Sequence, residues 1–288
     1  MDLAGTLFPL RRGTGDPTTR IAGAEAWRAL RTPAGAATLH LRAEGEDIEA
    51  EAWGPGAAWA LETAPDLVGA DDVGAGFEPH HELIARLWRQ HRGIRLTHTH
   101  AIVPTLIAAI FEQKVTGIEA RRAWRGLVGA ASDPAPGPLT ELRLPPDPER
   151  VAAMPAFAFH RFGVEGRRAD VVRAICARAT RIEAMSDLPL EEFRRRLQAH
   201  RGIGVWTAAE TARLALGDPD AVSVGDYHLP NLVAWALAGE PRGTDERMLE
   251  LLEPYRGHRG RVQRLLEAGG MHAPRYGPRT EIHSIAGI

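Results

Sequence analysis

The feature that most limits what this chain can fold into is the run Leu197-Gln-Ala-His-Arg-Gly-Ile-Gly-Val-Trp-Thr-Ala-Ala-Glu-Thr-Ala-Arg213. A helical segment over 189–199 runs into Gly202-Ile203-Gly204, and a second helix is expected to begin near Trp206. Two glycines around one aliphatic residue permit a tight turn with positive φ angles. Ile203 can then plug the core between the two helices. The N–H groups that follow, of Gly204, Val205 and Thr207 among others, sit at a helix N-terminus and are free to grip a phosphate. Such contacts position a duplex without reading its sequence. Glycine is common in helix–helix turns, so the turn alone does not define a function.

The residues downstream narrow it. The loop from Gly217 to Pro230 contains Val222-Ser-Val-Gly-Asp226-Tyr227-His228 and leads into a helix expected over 227–237. Asp226 can cap that helix, where the dipole favours a carboxylate. The joint pattern is L-x-x-x-x-G-I-G-x-W-T-A, about twenty residues, then V-x-x-D-Y. It resembles the helix-hairpin-helix (HhH-GPD) DNA glycosylase superfamily, which includes endonuclease III, and within it the bacterial 3-methyladenine DNA glycosylase II branch. The resemblance runs from about His81 to Gly270 and is looser before it.

The resemblance implies a mainly α fold, an all-helical glycosylase body preceded by a small mixed α/β domain with an antiparallel sheet. It implies a monofunctional enzyme that flips a damaged base out of duplex DNA and excises it, leaving an abasic site. Asp226 matches the catalytic carboxylate. Trp206 matches the position where lyase-competent relatives carry a Schiff-base lysine, and an indole forms no imine. Lys114 is the sole lysine and lies in a different motif. The segment Ile110-Phe-Glu-Gln113-Lys114-Val-Thr116 matches the loop whose side chain fills the gap left by the flipped base. Gln113, Lys114 and Thr116 are therefore DNA-binding candidates with Gly202, Ile203, Gly204, Val205 and Thr207. Lys114 is either that wedge or a solvated surface lysine. Trp206 and Tyr227 match aromatic pocket positions and are expected to stack on the base or to pack in the core. Glu210 and His228 stand where the nearest relatives have an aromatic and an aliphatic residue. These departures leave hypoxanthine, uracil or another lesion open beside N3- or N7-alkylated purines, and a non-catalytic damaged-DNA-binding protein remains the other alternative. Family hairpins hold Na+ or K+ through main-chain carbonyls, here those of Gln198, His200 and Ile203.

Charge along the chain agrees with a polyanionic partner although the net charge is −2. Ala43–Ala85 holds eleven acidic residues and no Lys or Arg, whereas Arg161–Arg213 holds eleven arginines against seven acids. Four more arginines fall in Tyr255–Arg264, so the basic side is expected to dock on DNA. One cysteine, Cys176, excludes a disulfide framework and an iron–sulfur cluster. No signal peptide is evident, and Ala101–Phe111 is far shorter than the roughly 20 residues of a membrane span. The expectation is a monomeric cytoplasmic, nucleoid-associated protein.

Alternating patterns predict strands over Ala37–Arg42 and Ile48–Trp53 with Gly45 in the turn, and one helix is expected around Ala24–Leu30. Helical periodicity begins at His81, continues through Pro104–Val128 and returns at 149–153, 165–183 and 189–199, with a long loop at Ala131–Pro148. The expected division is an α/β domain over 1–78, the helical body with two subdomains flanking a cleft over 79–270, and an irregular tail over 271–288. Histidines 80, 81, 91, 98 and 100 are dense but lack cysteine partners and carboxylates at helical ligand spacing. They are expected to cap helices or face solvent.

Overall fold

A computed structural model describes residues 1–45 and 47–274. The irregular tail expected over 271–288 therefore lies, beyond 274, outside the described residues. Helix α1 (Leu3–Leu7) is followed by an antiparallel sheet of β1 (Thr19–Ala22), β2 (Glu25–Thr32), β3 (Gly35–Glu44) and β4 (Asp47–Trp53), in that spatial order. The register is set by tight turns, with Trp27 opposite His40 and Leu39 opposite Ala52. Gly45 turns the β3–β4 hairpin at φ 63°. The helix expected around Ala24–Leu30 is instead β2. Its Glu, Ala, Leu and Arg residues favour helix on their own, but pairing on both sides with β1 and β3 decides the outcome.

One face of the sheet is covered by α1, α2 (Ala57–Glu62) and α3 (Ala64–Leu67). Leu3, Leu7, Leu30, Leu39, Leu41 and Leu67 form this core, and Leu214 enters it from the hairpin's second helix. The hairpin is thus seated directly on the N-terminal layer.

The remaining helices form two further cores. The larger gathers α5 (Ile102–Phe111), α6 (Gly117–Ala131), α7 (Pro148–Ala153), α8 (Gly166–Cys176), α9 (Ala179–Glu183), α10 (Leu190–Gln198) and α11 (Val205–Ala215). The smaller joins α4 (Glu82–Gln90) to α12 (Leu229–Ala238), α13 (Asp245–Leu252) and α14 (Arg259–Ala268). The chain passes from one to the other between Ala221 and Val222, in the loop that carries Asp226.

The helical stretch expected across Pro104–Val128 is two helices. The first ends at Phe111, and Lys114 in the connecting turn takes φ 55°. Thr116 begins the second with a capping box, its hydroxyl accepting from the Glu119 N–H while the Glu119 carboxylate accepts from the Thr116 N–H at 2.8 Å. No helix among the described residues is long and apolar enough to cross a membrane.

Candidate active site

Three loops converge on the start of α11. The first is the hairpin turn itself. Gly202 has φ 87°, and a β-carbon there would lie 2.4 Å from Val171 Cγ2. Ile203 is buried in the helical core, as its position between the glycines requires. Gly204 departs from the sequence expectation: its backbone is extended (φ −94°, ψ −178°) and nothing lies within 4 Å of a β-carbon built on it. The turn therefore does not require its lack of a side chain, which leaves the surface there open to close approach from outside. The α11 N-terminus lies behind it, and the first N–H groups of a helix have no intrahelical acceptor. At the hairpin carbonyls expected to hold a cation, that of His200 accepts from the Ile203 N–H at 3.0 Å.

A contrast follows from the two glycines. Gly202→Ala forces both strain at positive φ and a collision with a β-branched neighbour, so it is expected to lower stability by about 1–3 kcal/mol. Gly204→Ala is expected to leave stability within about 0.5 kcal/mol of wild type while weakening duplex DNA binding severalfold. Urea denaturation and fluorescence anisotropy separate the two. Equal stability losses in both variants would refute the assignment of Gly204 to ligand approach.

The second loop, between α5 and α6, is tied to the hairpin by Gln113. Its amide Nε2 donates to the Gly202 carbonyl at 3.0 Å and to Thr207 Oγ1 at 2.8 Å. Lys114 next to it is exposed, held outward by its left-handed backbone. The side chains of two expected DNA contacts already have partners within the protein. Thr207 is buried as the acceptor for Gln113, and the Thr116 hydroxyl is occupied by Glu119 at 2.7 Å. Val205 remains exposed at the first turn of α11.

The third loop brings Asp226 to Trp206. The Trp206 indole Nε1 donates to Asp226 Oδ2 at 3.0 Å. Asp226 Oδ1 accepts from the N–H groups of His228 at 2.7 Å and Leu229 at 2.9 Å. The carboxylate thus closes the start of α12, which runs from Leu229 and not from Tyr227. Asp245 holds the loop from the other side through the Gly225 N–H at 3.0 and 3.1 Å. The result is one partly exposed anion whose position is fixed by three donors.

Three pocket candidates behave differently. Tyr227 is 81% exposed, with its ring edge-on to His228 at 4.8 Å, so neither lines a closed pocket as the loop stands. Glu210 is buried inside the protein. Arg213 grips it with two bonds of 2.9 and 3.1 Å, and the Ser223 hydroxyl donates to it as well. A buried carboxylate requires such pairing, and the i,i+3 spacing of Glu210 and Arg213 was a signal for it in the sequence.

A pair that sequence reasoning missed lies beside Gln113. Arg12 Nη1 is 3.4 Å from Glu112 Oε1. Burial pushes the Glu112 carboxyl above the ordinary glutamate range, although Arg12 opposes the shift. Its side chain still keeps 34% of its surface open, which describes a group in a recess. A hundred residues separate the partners, and no local pattern joins them.

The basic segment is less basic in three dimensions than in sequence. Arg194 pairs with Asp218, Arg195 and Arg196 with Glu192, Arg259 with Asp220 and Arg261 with Asp72. Arg167, Arg181 and Arg201 are exposed and have no ion pair among the described residues.

No protein-family model and no curated protein matches the chain. Solved structures do. A 3-methyladenine DNA glycosylase from Archaeoglobus fulgidus superposes with a TM-score of 0.79 at 17% identity, over 92% of this chain and 94% of that one. The Clostridium acetobutylicum 8-oxoguanine glycosylase/lyase bound to double-stranded DNA gives 0.72 at 12% identity, over 94% and 91%. The Schizosaccharomyces pombe 3-methyladenine DNA glycosylase bound to abasic DNA gives 0.55 at 18%, over 68% and 96%. The chain has the fold of the helix-hairpin-helix DNA glycosylases, a helical body preceded by a small antiparallel sheet.

Proposed function

We propose that the protein is a monofunctional DNA glycosylase that extrudes a damaged base from duplex DNA, hydrolyses its N-glycosidic bond and leaves an abasic site. The observation that carries this reading is the Asp226 carboxylate, held by Trp206 and by the start of α12 beside an open hairpin turn. The hairpin N–H groups and exposed arginines take the phosphates, which gives affinity without sequence choice. Lys114 stands at the tip of the loop that faces the duplex and fills the space of the departed nucleotide. The indole of Trp206, its plane fixed by the bond to Asp226, offers a stacking face to the extruded base. As the bond breaks, positive charge develops on the sugar, and a fixed anion that needs no reorganisation stabilises it.

An N3- or N7-alkylated purine is the substrate class we favour, because a cationic base leaves without a strong general acid. A second reading, an uncharged lesion such as hypoxanthine or uracil, draws on one observation. Arg12 and Glu112 together present donors and an acceptor in a recess next to Gln113, the kind of edge that reads a neutral base. A panel of duplexes, each with one lesion, separates the two by which base is released. Release of no base from any of them would end the glycosylase reading.

The absence of strand cutting is a separate expectation. Trp206 supplies no amine, and the only lysine is Lys114. Product strands are expected to remain intact until alkali is added, and borohydride is expected to trap no covalent adduct. Spontaneous nicking with a trapped adduct that disappears in Lys114→Ala would assign a lyase step to Lys114 and overturn the monofunctional reading.

A further inference from the structure

We propose that Asp66, His98 and His100 form a binding site for a single divalent cation of the zinc class, placed on the joint between the sheet layer and the helical body. The argument begins with the run Thr97-His-Thr-His100. This segment pairs with the end of α11: His98 bridges Leu216 in antiparallel fashion, and the Thr99 N–H donates to the Ala215 carbonyl at 2.8 Å. Side chains of an extended segment alternate. Thr97 and Thr99 are accordingly buried, which leaves His98 and His100 together on the half-exposed face.

Asp66, on the short helix α3, is brought to that face by the His98 N–H, which donates to the Asp66 carbonyl at 3.0 Å. The ligand atoms of the three side chains all lie within 4.8 Å of one another. His100 Nε2 is 2.7 Å from Asp66 Oδ2, and the two imidazoles stack with centroids 3.9 Å apart and planes 19° from parallel.

Two details set this cluster apart from a surface His–Asp contact. His98 Nε2 is buried and has no hydrogen-bond partner among the described residues, whereas nearly all buried polar atoms in folded proteins have one. His100 adopts φ 49°, one of two non-glycine residues with positive φ among those described. Such a backbone costs about 1–3 kcal/mol and persists where the surroundings impose it.

The donor set fits zinc better than magnesium or calcium, which take oxygen ligands. Bonds of about 2.0–2.1 Å in a tetrahedron place ligand atoms about 3.3 Å apart. His100 and Asp66 need to separate by roughly half an ångström from their present hydrogen bond, and one of the stacked rings must rotate so that both nitrogens face the ion. Water completes the shell. Bound there, the ion would fasten α3 to the segment leading into α5.

The test uses the full chain, dialysed against a chelator and titrated with zinc chloride in a calorimeter and in a thermal melt. One ion is expected to bind with a dissociation constant below about 10 µM and, by binding the folded chain, to raise the melting temperature by several degrees. Magnesium is expected to do neither. His98→Ala and His100→Ala are expected to weaken zinc binding at least about thirtyfold. His98→Gln and His100→Gln serve in place of any alanine variant that does not fold. No saturable binding below 100 µM, or binding unchanged in the folded variants, overturns the proposal. Because the readouts are binding and melting, neither result bears on whether the protein excises bases.

Discussion

Asp226→Asn is expected to lower the rate of base release by about 10²–10³-fold, the loss seen when one preorganised electrostatic stabiliser is removed from a site, while duplex binding stays within a factor of about three. The two readouts diverge because the carboxylate has two jobs. Its Oδ1 accepts from the N–H groups of His228 and Leu229, and an asparagine oxygen continues to do so. Helix α12 therefore keeps its start, and the stability cost is at most about 1 kcal/mol. Its Oδ2 accepts from Trp206 at 3.0 Å, and there the asparagine presents an NH2 group to an N–H donor. The indole loses its anchor, and the negative charge proposed to stabilise the sugar is gone. Asp226→Glu keeps the charge but displaces it by the length of a C–C bond, so an intermediate loss is expected, since displacements of about 1 Å cost on the order of 10²-fold. Single-turnover rates on a lesion duplex, measured beside anisotropy titrations, decide the matter. Full activity in Asp226→Asn would remove the carboxylate from the mechanism. A parallel fall in binding would make it a structural cap only.

The sequence made the site partly legible, and the reason lies in which rules are local. Gly202, Ile203 and Gly204 are read from turn chemistry within a few residues. The residue types of Ala37–Arg42 and Ile48–Trp53 alternate and mark β3 and β4, and Thr116 and Glu119 spell a capping box that marks the break between α5 and α6. What escaped depends on partners distant in the chain. Nothing within Glu25–Thr32 announces two flanking strands. The spacing of Trp206 and Asp226 placed both in one region but did not foretell the indole–carboxylate bond. His98 and His100 lacked a carboxylate in sequence, and Asp66 joins them only through the packing of α3. The arginine count suggested a basic face, yet most of those charges are spent on neighbouring carboxylates.

The largest effect on stability is expected at one of those arginines. Arg213 lies on α11 with 8% of its side chain exposed, bonded to Glu210 at 2.9 Å and to Glu267 at 3.1 Å. Gln263 links Glu267 to Ser223, whose hydroxyl reaches Glu210. This network joins the hairpin's second helix to α14 and to the loop that ends in Asp226, so it connects cores otherwise packed separately. Burial opposes the Arg213 charge, but its two glutamates outweigh that and hold it protonated. Arg213→Met leaves Glu210 buried and unpaired, and breaking a buried pair from one side costs about 3–5 kcal/mol. The melting temperature is expected to fall by on the order of 10 °C. The double variant Arg213→Met with Glu210→Gln removes both charges and is expected to recover at least half of the loss. Urea denaturation of wild type, single and double variants at pH 7 tests this. A single-variant loss under about 1 kcal/mol, or a double variant no more stable than the single one, would show that the cores are held together by apolar packing alone.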